Sequence, residues 1–125
     1  MILLDSSILI DLFRKRNKKK TLFYQLSYTF NDFYLSAISY YEIGIGNRAS
    51  HFPYWEALSN QLTVIALDKA CSTTAIEIYN DLLQKNKMID LADILIGATA
   101  VTYKMPLATL NRKHFERIMN LEIIT

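Results

Sequence analysis

The sequence predicts a three-layer α/β fold with a mostly parallel central sheet, and three observations carry that expectation. Ile2-Leu3-Leu4 is a continuous apolar run without polar alternation, the pattern of a strand buried on both faces. Short apolar runs then alternate with longer segments of helical period, an order that favours parallel pairing through crossover connections. Only three Gly and two Pro punctuate the 125 residues, so loops are short and helices many. The length suits a single domain, residues 1–125, large enough for a proper core.

The first strand stops at Asp5, and Ser6 or Ser7 can cap a helix running through Ile8-Leu9-Ile10 towards Phe13. In an open α/β sheet, ligands bind in the crevice at the carboxyl ends of the strands, which is where Asp5 falls. Asp5 also fits a plain turn or cap role. Leu22, Phe23, Leu26 and Phe30 recur at helical spacing until Asn31-Asp32, and Phe33-Tyr34-Leu35 starts a second strand. Ser39-Tyr40-Tyr41-Glu42 has the form of a capping box for a helix through Ile43 and Ile45, weakened and ended by Gly44, Gly46 and Asn47. Pro53 suits the first turn of a helix carrying Trp55 and Leu58.

Thr63 to Leu67 reads as the third strand. Asp68 then caps a long helix whose apolar positions are Ala75, Ile76, Ile78, Tyr79, Leu82 and Leu83, closed by Lys85-Asn86-Lys87. The strongest helix runs from Asp90 to Tyr103. Leu91, Ile94, Leu95, Ala98 and Val101 form its stripe, and Gly97, Ala98 and Ala100 let it lie close against the sheet. Pro106 to Thr109 is the fourth strand, with Pro at its first residue, and Leu121 to Ile124 the fifth.

Composition is ordinary globular, 51% hydrophobic and 21% charged. The single Cys71 excludes an internal disulfide and fits a reducing compartment. The start lacks a basic region and Asp5 and Asp11 interrupt its apolar stretch, so no signal peptide is expected; no apolar run approaches the ~18 residues of a membrane span. A cytoplasmic location follows as the expectation. The net charge of +2 conceals a cluster: Arg14 to Lys20 holds six of the fourteen basic residues, leaving eight against twelve acidic residues elsewhere. Such a run is either a solvated loop or an attractor for a phosphate backbone. Tyr24, Tyr28, Phe30, Tyr40, Tyr41, Phe52, Tyr54 and Trp55 exceed what one small core needs, so some are expected to line a surface between two copies or against a partner.

Three acids occupy comparable places: Asp5 after the first strand, Glu42 in the helix after the second, Asp93 in the helix before the fourth. Each also has a local role to fill, since Glu42 can close a capping box and Asp93 can favour the helix dipole. Converged at one sheet edge, they would repel each other unless a cation neutralised them. Oxygen-only ligands select a hard ion, Mg²⁺ or Mn²⁺. That chemistry points to metal-assisted hydrolysis of a phosphodiester, and the basic run fits a polyanionic substrate.

The segments Met1 to Asp11, Ile38 to Gly44, Asp93 to Ala100, and Pro106-Leu-Ala-Thr-Leu-Asn111 through Ile118 together closely resemble PIN-domain ribonucleases, and more narrowly VapC-type toxins of toxin–antitoxin pairs. The motifs keep their order over essentially the whole chain. The resemblance implies an α/β/α PIN-like domain and an Mg²⁺- or Mn²⁺-dependent endoribonuclease, usually a homodimer, held inactive by a VapB-type antitoxin. It assigns Asp5, Glu42 and Asp93 to the acidic triad that holds the metal. The fourth acidic place is occupied by Asn111, followed by His114 and Glu116; an amide supplies an oxygen but no charge, so one well-held ion is expected. Asp90 is either an auxiliary ligand or a helix cap. Lys18, Lys19, Lys20 and His114 are the candidate contacts to RNA. A phospho-receiver domain lacks support because Ser6 follows Asp5, an Asp-x-Asp phosphatase fails at Ser7, and no Gly-x-Gly-x-x-Gly is present. The remaining alternative is a non-catalytic PIN-like module that binds RNA or protein.

Overall fold

The computed structural model describes residues 1–46 and 52–125. Its strands are β1 (Ile2–Leu4), β2 (Phe33–Ser36), β3 (Thr63–Ile65), β4 (Leu107–Ala108) and β5 (Ile123–Ile124). They pair entirely in parallel in the order β3-β2-β1-β4-β5. The helices are α1 (Ser6–Arg14), α2 (Leu22–Leu26), α3 (Ala37–Gly46), α4 (Phe52–Ser59), α5 (Lys69–Lys85), α6 (Leu91–Thr102) and α7 (Arg112–Phe115). No helix among the described residues is long and apolar enough to cross a membrane.

The central strand explains the layering. Successive side chains of a strand face opposite ways, and β1 is apolar on both. Leu3 joins Ile78, Leu82, Ile96 and Phe115 on the side of α5 and α6. Ile2 and Leu4 join Ile8, Leu9, Leu35 and Trp55 on the side of α1, α3 and α4. β1 pairs Leu4 with Leu35 of β2 and with Ala108 of β4, so the chain leaves β1 between neighbours reached from opposite directions. That reversal opens the crevice at its carboxyl end.

Several boundaries differ from the sequence expectation. β3 ends at Ile65, with an exposed edge, and β4 covers only Leu107–Ala108. The helix expected to reach Phe30 ends at Leu26 and gives way to turns; the Thr21 hydroxyl caps it, accepting from Tyr24 N at 3.3 Å. Ser39 opens nothing. The hydroxyl of Ser36 accepts from the Ser39 amide at 3.0 Å, so the helix starts three residues early and Glu42 lies in its second turn, not in a capping box. Asp5 itself, not Ser6 or Ser7, holds the cap position of α1, without a capping side-chain bond. Asn47 and the side chain of Phe52 lie outside the described residues.

On α5, Ala75, Ile78 and Leu82 are buried while Ile76, Tyr79 and Leu83 are exposed, because adjacent positions on a helix cannot both face one core. Asp68 caps α5 as expected, accepting from Cys71 N at 2.8 Å. It also takes the Tyr103 hydroxyl, tying the end of α6 to the start of α5 and pushing the phenol up to about 12. In α6 Ala98 and Ala100 are buried in the core with Leu3 and Leu107 of the sheet, but Gly97 faces elsewhere. A Cβ on Gly97 would come within 2.4 Å of Ile118 Cδ1, so glycine there seats the segment after α7. Leu91, placed in the apolar stripe, is 70% exposed.

The basic run starts at the last residue of α1, Arg14, and ends in a single 3-10 turn, Lys18–Lys20, capped by Asn17. Lys18 turns inward. Its ammonium donates to the carbonyls of Leu12 at 2.5 Å and Phe13 at 3.2 Å, closing the C-terminal end of α1.

Candidate active site

The carboxyl end of β1 delivers Asp5 into the crevice beside β4. Its amide continues the ladder, donating to Ala108 O at 2.9 Å, and the residue is 4% exposed. Burying a carboxylate requires hydrogen bonds, and two hydroxyls supply them. Ser7 Oγ and Thr109 Oγ1 both donate to Asp5 Oδ2, at 2.7 and 2.8 Å. Each hydroxyl in turn accepts a backbone amide, Ser7 from Leu110 N at 3.1 Å and Thr109 from Asn111 N at 2.9 Å. The bracket fixes Asp5 to the loop that follows β4. Neither Ser7 nor Thr109 was assigned this role from sequence; the only signal was a Thr at the end of a strand and a Ser two residues after an acid.

Glu42 and Asp93 arrive on helices. The early start of α3 turns Glu42 towards α1, where Ser6 Oγ donates to Oε1 at 3.3 Å. Asp93, in the first turn of α6, meets His114 Nδ1 at 3.2 Å. The same ring nitrogen lies 2.8 Å from Asn111 Nδ2. One nitrogen cannot serve both in the same state: bare, it accepts from the amide, and protonated, it donates to the carboxylate.

Electrostatics link the three acids. Burial raises the Glu42 carboxyl above its ordinary range, the charge of Asp5 raises it further, the Ser6 hydrogen bond draws it back, and Asp93 adds to the rise. Asp93 is also raised, first by burial and then by Asp5; the hydrogen bond and charge of His114 oppose this, and Asp90 adds to it. Asp90 stands at the cap position of α6, but its side chain makes no capping bond. It is exposed, and it acts on Asp93 through its charge.

Asp5, Glu42 and Asp93 therefore share one electrostatic pocket, with Asn111 and His114 at its rim. Among the described residues no three His, Cys, Asp or Glu side chains are drawn tightly enough to cage a metal ion as they stand. Each acid is instead satisfied by a hydroxyl or the imidazole. The set still fits a hard cation: the donors are carboxylate oxygens, Glu42 and Asp93 are raised first by burial and then by the charge of Asp5, and a divalent ion would favour their charged forms. Of the other candidates, Lys19 and Lys20 are exposed, Lys18 is occupied at α1, and Glu116 ends α7 and lines a separate cleft with Lys87 and Arg117.

Known proteins resemble the chain over nearly its whole length. A family model described as the PIN domain matches residues 2–121. The chain is 32% identical to Ribonuclease VapC1 of Rickettsia felis and 29% identical to Ribonuclease VapC of Rickettsia bellii, in each case over 99% of this chain and 95% of the relative. Among solved structures it resembles VapBC2 from Rickettsia felis bound to a DNA fragment from its promoter, with a TM-score of 0.87 and 25% identity over 99% of this chain and 98% of that one.

Proposed function

The chain belongs to the PIN-domain family, and from that premise we propose that it is an Mg²⁺- or Mn²⁺-dependent endoribonuclease, the toxin of a toxin–antitoxin pair, acting through Asp5, Glu42 and Asp93. The observation that carries the reading is the convergence of three carboxylates near the carboxyl end of β1, with Asp5 held by Ser7 and Thr109, Glu42 by the adjacent Ser6, and Asp93 by His114 beside Asn111. A divalent ion held there supplies an activated water and offsets charge on the phosphodiester. Asp5 offers its second oxygen from a fixed position, because Oδ2 is occupied by the two hydroxyls. Glu42 and Asp93, held here by Ser6 and His114, would complete the ligand set. Asn111 and His114 remain at the rim as contacts to substrate.

A VapB-type antitoxin and a second copy of the chain are the partners we propose. Exposed Tyr28, Tyr40, Tyr41 and Tyr54 support an interaction surface, whereas Trp55 is core. The test is cleavage of RNA by purified protein, expected with Mg²⁺ or Mn²⁺ and abolished by a chelator. The uncaged arrangement of the acids favours one competing reading, a non-catalytic RNA-binding module, and RNA binding without cleavage in either metal would establish it. With Asn111 in place of a fourth carboxylate, Mn²⁺ titration of RNA-free protein should give about one tight site, and Asn111→Asp should add a second. Two tight sites in the unaltered protein would overturn that stoichiometry.

A further inference from the structure

The two elements that border the acidic pocket present cations on their other flank. The loop after α5 leads to Asp90 and Asp93, and α7 follows Asn111 and carries His114. Between these same elements opens a cleft of about 730 Å³ lined by Lys85, Lys87, Lys113 and Arg117, with Glu116 as the only carboxylate among the described residues that line it. We propose that this cleft binds the sugar–phosphate backbone of the RNA strand as it leaves the acidic pocket, an inference that rests on the ribonuclease reading.

The cleft is built to keep positive charge in place. Arg117 Nη1 donates to the carbonyls of Lys87 and Met88, at 3.4 and 3.2 Å, which pins the loop while leaving the guanidinium charged. Lys85 is paired with Asp81 at 3.0 Å and contributes little net field. Lys87 and Lys113 are exposed, and no ion pair engages either among the described residues. The end of α5 would ordinarily repel an anion with bare carbonyls. Here the amides of Asn86 and Lys87 consume two of them, donating to Leu83 O at 3.1 Å and Leu82 O at 2.9 Å, with Asn86 in the left-handed region. α7 is four residues long, about 6 Å of helix, so a strand crossing it passes from carboxylates to lysines over a short path. A bound metal would anchor the scissile phosphate in a pocket that otherwise repels RNA, and the cleft supplies attraction for the flanking phosphates.

The test compares Lys87→Ala/Lys113→Ala with the unaltered protein, using fluorescence anisotropy of a single-stranded RNA oligonucleotide in EDTA across a salt series. Each phosphate contact on a single strand contributes a slope of about −0.7 in log K against log salt, so the double variant should flatten the slope by about 1.4. Lys87→Arg/Lys113→Arg should restore it, and Mn²⁺ affinity should be unchanged in both. An unaltered slope in the alanine variant, with RNA still bound and cleaved, overturns the cleft and leaves the nuclease reading intact. A flattened slope in a protein that never cleaves supports the cleft and overturns the nuclease. Failure of the unaltered protein to bind RNA in EDTA overturns the cleft, while the nuclease reading is decided separately by cleavage in Mg²⁺ or Mn²⁺. Loss of affinity for the antitoxin with RNA binding untouched assigns the cleft to a protein partner and overturns the proposal.

Discussion

Asp5 follows a strand buried on both faces and spends one carboxylate oxygen on two hydroxyls at 2.7 and 2.8 Å, whereas Glu42 and Asp93 ride on helices and hold one weaker partner each, at 3.3 and 3.2 Å. The first arrangement is a fixed anchor. Its hydroxyls are themselves held by backbone amides, so Asp5 cannot turn without breaking contacts on both α1 and the loop after β4. The second leaves two acids raised by burial and by Asp5, in a state that a cation would improve. A pocket that must admit a metal and a phosphate gains from having both kinds. One ligand sets the position and two adapt to the ion.

The comparison breaks most visibly at Asp5. Asp5→Asn keeps the shape but removes the charge and turns a hydrogen-bond acceptor into a group that is half donor. Loss of a residue supporting a metal ligand typically costs about 10–100-fold, so loss of a proposed ligand should lower cleavage by at least about 100-fold and relieve growth arrest on expression without a partner. Equal toxicity at equal soluble expression would remove Asp5 from the site. Thr109→Val asks how much the anchor depends on its bracket. It leaves the half-buried Asn111 backbone amide without its acceptor and Asp5 with one hydroxyl. A loss of about 10–100-fold in activity or metal affinity is expected, with a stability cost of about 1–3 kcal/mol read by denaturant titration. An unchanged Mn²⁺ affinity would mean that Ser7 alone holds the carboxylate.

The sequence showed the anchor as an acid and missed what anchors it. An apolar run ending abruptly at Asp5 is visible one-dimensionally, because burial on both faces erases alternation. Thr109 lies 104 positions from Asp5, and nothing local distinguishes a strand-end Thr that donates to a carboxylate from one that merely suits a strand. Glu42 was legible as an acid but misplaced by three residues, since Ser36 and Ser39 are both plausible caps and only the β2–α3 junction decides between them. The basic run was legible as charge. That Lys18 would close α1, and that a second set of cations would meet beside α7, depended on contacts between distant elements.

A further substitution sharpens the comparison from the helix side. Gly97→Ala adds a methyl facing the tip of the Ile118 side chain, which is 4% exposed and must shift to admit it. Helix propensity would gain about 1 kcal/mol, but overpacking of about 1–3 kcal/mol outweighs it. A net loss of about 1 kcal/mol is expected, with Ile118→Val restoring most of it. Because α6 carries Asp93 and Ile118 follows α7, cleavage should fall along with stability. A variant more stable than the parent would show that the Ile118 contact yields freely.

The smallest effect concerns the unpaired charge of the helix-borne acids in metal-free protein. A carboxyl raised on folding binds its proton more tightly in the native state than in the unfolded chain. Its contribution to stability is therefore unfavourable when both states are ionised, and that penalty fades as pH falls through the raised native value. Asp68 works the other way, since its hydrogen bonds to Tyr103 and to the Cys71 amide lower it and its benefit is lost in acid. A raw melting curve against pH mixes the two, but the difference between parent and Asp93→Asn cancels Asp68. Without metal, Asp93→Asn should melt slightly higher at neutral pH, by less than about 1 kcal/mol or about 5 °C given solvent screening at the pocket. The gap should close as pH falls below the ordinary carboxylate range. Adding Mg²⁺ should reverse the order, because the parent gains binding energy that the amide variant cannot match. A parent that melts higher than Asp93→Asn in EDTA at neutral pH would show that the contact with His114 outweighs the repulsion from Asp5.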